Sequence, residues 1–464
     1  MSWLPFAHAL VARQDLPIPA WLFAWGASIV LIASFFALSA AWRKPRFEET
    51  HWRPLGAGLS RTLLSPPVQI LCGLLGVFLL GVTIYAGLRG TEAPDRNFAL
   101  TFIFVTVWLG FAFFSAILGD LFRPFNPWRA IGRTAGAGFR AIAGQPAVHL
   151  AYPRWLGRWP AAVGLVAFVW LEVVYGGSSG VAVGLVPETV ANATLIYSAY
   201  TLAMMALFGV EKWCERGEIF SVYFNMFSQL GCFAVERGKL GRRRPLAAAG
   251  RWATLPGSTA VVLASIATTS FDGSQEGAFQ SAIKSTFDWL VDRGVGLLAA
   301  ERLASTLFML LCLGGVALVY MLGVRGMRTV PGAPSLAKLR VGFAHTLIPI
   351  ALAYLLAHYF SFFVFQEQAQ FTYLLSDPLG TATTDLFGTA SAGVDYTVLS
   401  ANAIWYLQVS ALIVGHVIGL TLAHDRALVY WPKYRQAARS QYWMLAVMVA
   451  FTCFGLYLLS VSNG

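Results

Sequence analysis

Ten apolar runs separated by polar segments order the chain: 21–41, 68–88, 98–118, 160–175, 190–210, 256–270, 303–324, 341–365, 400–422 and 441–461. A helix crosses the hydrocarbon of a bilayer with about 20 apolar residues. Most of the runs reach that length; the fourth and sixth are short. They are continuously apolar and much longer than the roughly 10-residue alternating segments of a membrane barrel. The pattern therefore predicts an all-α fold, a polytopic transmembrane helical bundle of about ten spans. Residues 219–235 are also apolar, but a crossing there would carry one of the flanking basic clusters, 211–217 or 237–251, across the membrane. A re-entrant or interfacial helix is the expectation for them. In 279–298 apolar residues recur at spacings of three and four, the mark of an amphipathic helix lying on the outer surface.

Charge gives the bundle a direction. Of the 33 Lys and Arg residues, 27 fall in segments 42–67, 119–159, 211–255, 325–340 and 423–440, and six in the alternate segments and the ends. Basic loops stay in the cytoplasm, so both termini are expected outside. This also accounts for a pI near 9.6 without a nucleic-acid partner; the partner of the basic face is the lipid bilayer. Only 12% of the 464 residues are charged, where soluble domains carry about a quarter. No stretch of ordinary charge density is long enough for a soluble domain, so residues 1–464 read as a single integral membrane domain. The five Cys residues are scattered, which argues against a disulfide framework and a Zn–Cys site. Residues 1–20 lack the layout of a signal peptide and read as an ordered outer segment.

Ionisable groups at membrane depth are costly and mark function. Depth sorts them into two sets. Glu172, Asp272, His358, Glu367 and His8 fall towards the outside and are expected to meet in an outer pocket, with Asp272, His358 and Glu172 as the catalytic candidates. His345, His416, His424 and Asp425 fall towards the cytoplasm, with Glu211 at the end of its span. Structural alternatives stand beside each: a lone intramembrane His commonly caps a carbonyl, Asp272 precedes Gly273 as in a turn, and His424 with Asp425 suits the headgroup level. No His-Glu-x-x-His spacing occurs. A divalent metal ion would need ligands from separate helices: His358, Asp272, His8 and Glu367 on the outer side, or His345, His416, His424 and Asp425 on the inner. The run Glu211-Lys-Trp-Cys-Glu215-Arg-Gly-Glu218 is acidic for an inner loop, and Glu211 and Glu215 repel unless a cation compensates them.

Several blocks carry a resemblance. They are His8 to Pro19 before the first run, Gly119-Asp-Leu-Phe-Arg-Pro-Phe-Asn-Pro-Trp128, Glu211-Lys-Trp213 to Glu218, Ser270-Phe-Asp-Gly273, His345 to Phe360, and Gly415-His416 with His424-Asp-Arg-Ala427. Together they resemble a bacterial family of integral membrane proteins named fenitrothion hydrolase, over nearly the whole chain. The resemblance implies a multi-pass protein of the bacterial inner (cytoplasmic) membrane that hydrolyses an organophosphorus ester, a hydrophobic small-molecule substrate, and it points to a related membrane subunit as partner. It carries no residue roles.

The chemistry fits. A phosphotriester needs an activated water and a polarised phosphoryl group, which His and carboxylate groups, with or without a metal, can supply. From residues alone an ion- or proton-coupled transporter leads, because two sets of ionisable groups at opposite depths resemble stations on a path. A non-catalytic membrane subunit is the third reading. The resemblance shifts the expectation to hydrolysis.

Overall fold

The computed structural model describes residues 20–48, 51–177, 185–252, 254–275 and 277–462; His8 and the N-terminal segment lie outside the described residues. The principal helices are α1 (Ala20–Ala41), α2 (Pro66–Arg89), α3 (Phe98–Leu118), α4 (Pro127–Ala143), α5 (Trp159–Tyr175), α6 (Pro187–Phe208), α7 (Ile219–Ser228), α8 (Ser258–Gln275), α9 (Gln280–Val291), α10 (Leu297–Gly326), α11 (Ile348–Phe371), α12 (Ala401–Tyr430) and α13 (Tyr442–Ser462). Six helices among the described residues are long and apolar enough to cross a membrane: α2, α3, α6, Leu297–Thr329, Leu336–Ser376 and α12. The bent pair Tyr434–Ser440 and Tyr442–Tyr457 makes a seventh if taken as one span. The apolar parts of α1, α5 and α7 are shorter. The chain is thus an all-helical protein with transmembrane helices.

The helix at 258–275 departs most from its hydropathy. It is rich in Ser and Thr, yet it lies at the centre of the bundle, packed against α5, α10, α11 and α13, and nearly all of it is buried. Facing only protein, it has no need of lipid-soluble side chains. Its hydroxyls bond back along the helix, Thr268 to the Ala264 carbonyl at 2.8 Å and Thr269 to that of Ser265 at 3.1 Å. By contrast α2 turns Ile70, Leu71, Leu74 and Phe78 outward, as a helix against lipid tails does.

Residues 219–235 make no long helix. After the ten residues of α7 the chain forms a hairpin of Phe233–Glu236 and Lys239–Arg242, and Arg53–Pro54 adds a third strand beside Lys239–Arg242. The amphipathic helix foreseen over 279–298 is present as α9 with no buried residue, but it stops at Val291, where Asp292 and Gly294 (φ +85°) turn the chain into α10.

Contacts link the basic loops to one another. Asp425 accepts from Trp42 and from the backbone of Arg46 and Phe47, Arg244 donates to the Arg46 carbonyl, Arg251 to that of Glu48, and Arg158 to that of Trp252. At the opposite end, Thr91 and Phe98 bond through their backbone N–H groups to Leu379 and Pro378. The partition made by charge is therefore also a partition in space.

The tightest helix crossing is α11 on α12. A Cβ on Gly415 would come within 2.3 Å of the Ala353 Cβ and 2.9 Å of the Pro349 carbonyl. Small residues permit such approach between membrane helices. Gly415→Ala is expected to push the two helices apart and to destabilise the protein by about 1–3 kcal/mol, the usual cost of overpacking; an unchanged thermal midpoint in detergent would show that the crossing is looser than these distances require.

Candidate functional site

Asp272 sits on the last turns of α8, 3% exposed. One carboxylate oxygen, Oδ2, accepts from His358 Nε2 at 2.9 Å and from the Tyr359 hydroxyl; the other accepts from Gln275 Nε2 at 3.0 Å. His358 and Tyr359 are consecutive on α11, so this buried acid is gripped from a neighbouring helix by two donors. The His358 side chain is 17% exposed and its Nδ1 lies beside Gly273, where a Cβ would stand 3.3 Å away. Tyr359 packs edge-on to Trp108 at 5.2 Å between ring centroids, and Trp108 to Phe168 at 5.5 Å. An aromatic layer from α3 and α5 thus closes one side of the site.

Glu172 reaches the same region from α5, within electrostatic range of Asp272. Its Oε2 is buried without a hydrogen-bond partner. It lies in a π-helical stretch, Trp170–Tyr175, and α3 carries another, Phe102–Gly110. Such stretches concentrate at functional sites. The structure therefore joins Asp272 to His358 directly and sets Glu172 within electrostatic range of Asp272. Glu367 stands apart from them: it is nine residues beyond His358, about 14 Å along the helix, and accepts from Thr106 Oγ1 at 3.2 Å.

The basic-end residues have other work. His424 meets the Trp42 carbonyl through Nε2 at 2.9 Å and takes a bond from Gln441 on Nδ1. With Asp425 it fastens segment 42–47 to α12. His416 is fully buried, its Nδ1 bonded to the Leu412 carbonyl of its own helix at 2.7 Å and its Nε2 without a partner. His345 opens a turn before α11, with Nε2 towards Gly250. These four do not share a centre. Among the described residues no group of three or more His, Cys, Asp or Glu side chains is placed to hold a metal ion. Asp272 and His358 supply two adjacent donors.

The acidic run 211–218 resolves into two structural devices. Glu211 meets Arg129 at 3.0 Å, Arg133 at 2.8 Å and Arg123 at 3.2 Å. Burial works to raise its carboxyl, but Arg129, with Arg133 and Arg123, outweighs this and holds it below the ordinary value. These cations relieve the repulsion between Glu211 and Glu215. Glu211→Gln is expected to lower stability by roughly 1 kcal/mol, since the pair is partly exposed. The loss should shrink in high salt, and a salt-independent midpoint shift in thermal unfolding would contradict the assignment. Glu218 is fully buried and caps α7, accepting from the backbone of Phe220 and Ser221, from Asn126 and from the Tyr197 hydroxyl. Burial pushes its carboxyl up, against the pull of those bonds.

Tyr359 is the site residue that sequence reasoning passed over. Its signal was a hydroxyl beside an intramembrane His, an amphipathic group that needs a partner when buried. Comparison with models of known families, with curated proteins and with solved structures finds no match.

Proposed function

We propose that this chain is a hydrolase of the bacterial inner membrane that cleaves apolar organophosphorus esters, of the phosphorothioate type to which its sequence blocks point. The observation that carries this reading is the Asp272–His358 hydrogen bond at 2.9 Å, buried beside an aromatic layer. A carboxylate that orients an imidazole and stabilises its cation is the arrangement general-base chemistry requires. Water attacks phosphorus. His358 takes its proton as the new P–O bond forms. The P–O(aryl) bond breaks, its electron pair leaves with the aryl oxide, and the proton passes from His358 to that oxide or to solvent. Asp272 holds the ring and balances its charge, and Tyr359 fixes the Asp272 oxygen. The same two donors, 2.9 Å apart, suit neighbouring ligands of a divalent metal ion, which when bound would polarise the phosphoryl group.

The topology belongs to the same proposal: ten crossings with both ends outside, counting α1, α5 and α8 as further spans. The clustering of the basic loops supports it. Oriented so, Asp272 faces the outer half of the membrane.

Proton-coupled transport is the second reading. The feature in its favour is the unpartnered Oε2 of Glu172 close to a second buried carboxylate, a pairing typical of proton paths. Nitrophenol release from an aryl phosphorothioate by the detergent-purified protein, with metal content measured before and after chelation, separates the readings. Cleavage without a gradient supports the hydrolase, and its loss on chelation adds the metal. Solute uptake into proteoliposomes with no cleavage overturns it.

A further inference from the structure

A cleft of about 770 Å³ runs between α5 and α6, backed by the π-helical part of α3. Val163 of α5 and Ile196 of α6 line it and are well exposed, so it opens sideways, towards the lipid that a membrane helix faces. Phe104 and Phe168 form part of its wall and stack at 5.3 Å, and Phe168 in turn touches Trp108. The cleft is therefore separated from Asp272 by the aromatic layer of α3 and α5. Cavities of roughly 300–1,000 Å³ are the size that holds small-molecule ligands.

Its polarity is specific. None of the described lining side chains is charged. At the end away from the basic loops, Gln370 lines the cleft at 3% exposure, and its Oε1 has no hydrogen-bond partner. Leaving such a group unmatched is costly, and a ligand that pairs with it gains affinity. Thr106 also lines that end, but its hydroxyl is committed to Glu367. Thr83 and Thr194 also line the cleft, each with its hydroxyl bonded back to its own helix, and the remainder is aromatic and aliphatic. A neutral group able to donate to an amide oxygen satisfies Gln370, and an apolar chain fills the rest. No lining side chain offers a charged head a counter-charge; Glu367 stands behind Thr106 rather than on the lining.

We propose that this cleft is a binding site for a neutral, hydroxyl-headed amphiphile drawn from the bilayer, its hydroxyl on Gln370 and its chain between α5 and α6. A hydroxyl both donates and accepts, so it suits either orientation of the amide. The proposal is independent of hydrolysis, because binding is read without turnover.

The test uses the full chain in phosphatidylcholine nanodiscs with a long-chain alcohol carrying a photoactivatable diazirine in its chain. Cross-links should concentrate on peptides of α3, α5 and α6 and be competed by unlabelled alcohol. Ala167→Phe, which fills the cleft, should cut labelling at least fivefold, while Leu310→Phe on the exposed face of α10 should leave it unchanged. Gln370→Leu should raise the half-saturating concentration about tenfold, as loss of one buried hydrogen bond does. If Ala167→Phe does not fold, Gln370→Leu carries the same decision. Labelling spread over all lipid-facing helices in proportion to exposure, and indifferent to both substitutions, would overturn the proposal and leave only ordinary annular lipid.

Discussion

Asp272→Asn is expected to lower hydrolysis of an aryl phosphorothioate by about 10²–10⁴-fold, the range of general acid–base catalysis, while the protein still inserts and melts near its usual temperature. The substitution is close to isosteric. The amide can turn its oxygen to His358 and Tyr359 and its NH₂ to Gln275, whose own amide can rotate to accept. The grip between α8 and α11 is then kept and only the negative charge is lost. What disappears is the stabilisation of the imidazolium at the moment His358 takes a proton. His358→Ala should cost a similar factor, and the double variant little more than either alone, because the pair acts as a unit. Tyr359→Phe should fall less, near tenfold. Kinetics of purified variants alongside their thermal midpoints decide the matter. Full activity in both Asp272→Asn and His358→Ala would remove the site from consideration.

Asp425→Ala should produce a large loss of stability at the basic end. Asp425 is 2% exposed and accepts the indole N–H of Trp42 at 2.9 Å and the backbone N–H groups of Arg46 and Phe47 at 2.6 and 3.1 Å. Alanine leaves all three part-buried donors without this acceptor, and since water reaches them in part each costs about 1 kcal/mol, the low end for an orphaned group. A total of about 3 kcal/mol is expected, with Asp425→Asn, which keeps one oxygen, losing roughly half as much. Unfolding in mixed micelles measures it. The first structure to open should be the junction of α1 with α12, read as faster tryptic cleavage after Arg43 or Arg46, both of which lie on this segment. An Ala variant as stable as its parent would show that segment 42–47 is not held here.

Hydropathy and charge made the helical membrane class legible, and they divided the loops into two sets that the structure finds in contact within themselves. Depth along each helix grouped Asp272, His358 and Glu172; in the structure Asp272 bonds His358, and Glu172 stands within electrostatic range of Asp272. The grouping failed where depth alone was asked to do more. A residue has a depth and an azimuth, and an apolar run reveals only the first. Glu367 lies on the same helix as His358, towards the end away from the basic loops, but is spent on Thr106. His424 and Asp425 share a depth with His345, yet they serve a loop. The central position of α8 was hidden for a related reason. Thr268 and Thr269 satisfy their hydroxyls against their own helix, so a segment that hydropathy marks only weakly packs at the centre of the bundle. Tyr359 was missed because one Tyr among sixteen carries no mark of which neighbour it meets.

The π-helical stretch Trp170–Tyr175 has a consequence for how this site can change over generations. A widened turn holds more residues than an α turn. Loss of one codon there lets the backbone relax to the regular spiral with little rotation of the flanking helices, because the widened turn had absorbed the extra residue, while the residues inside the stretch, Glu172 among them, change their aim. The direction in which Glu172 points is accordingly set by how many residues lie in the stretch, beyond which ones they are. Replacement of single side chains leaves that number untouched. Insertion or deletion of one residue is the genetic event to which the aim of this carboxylate responds.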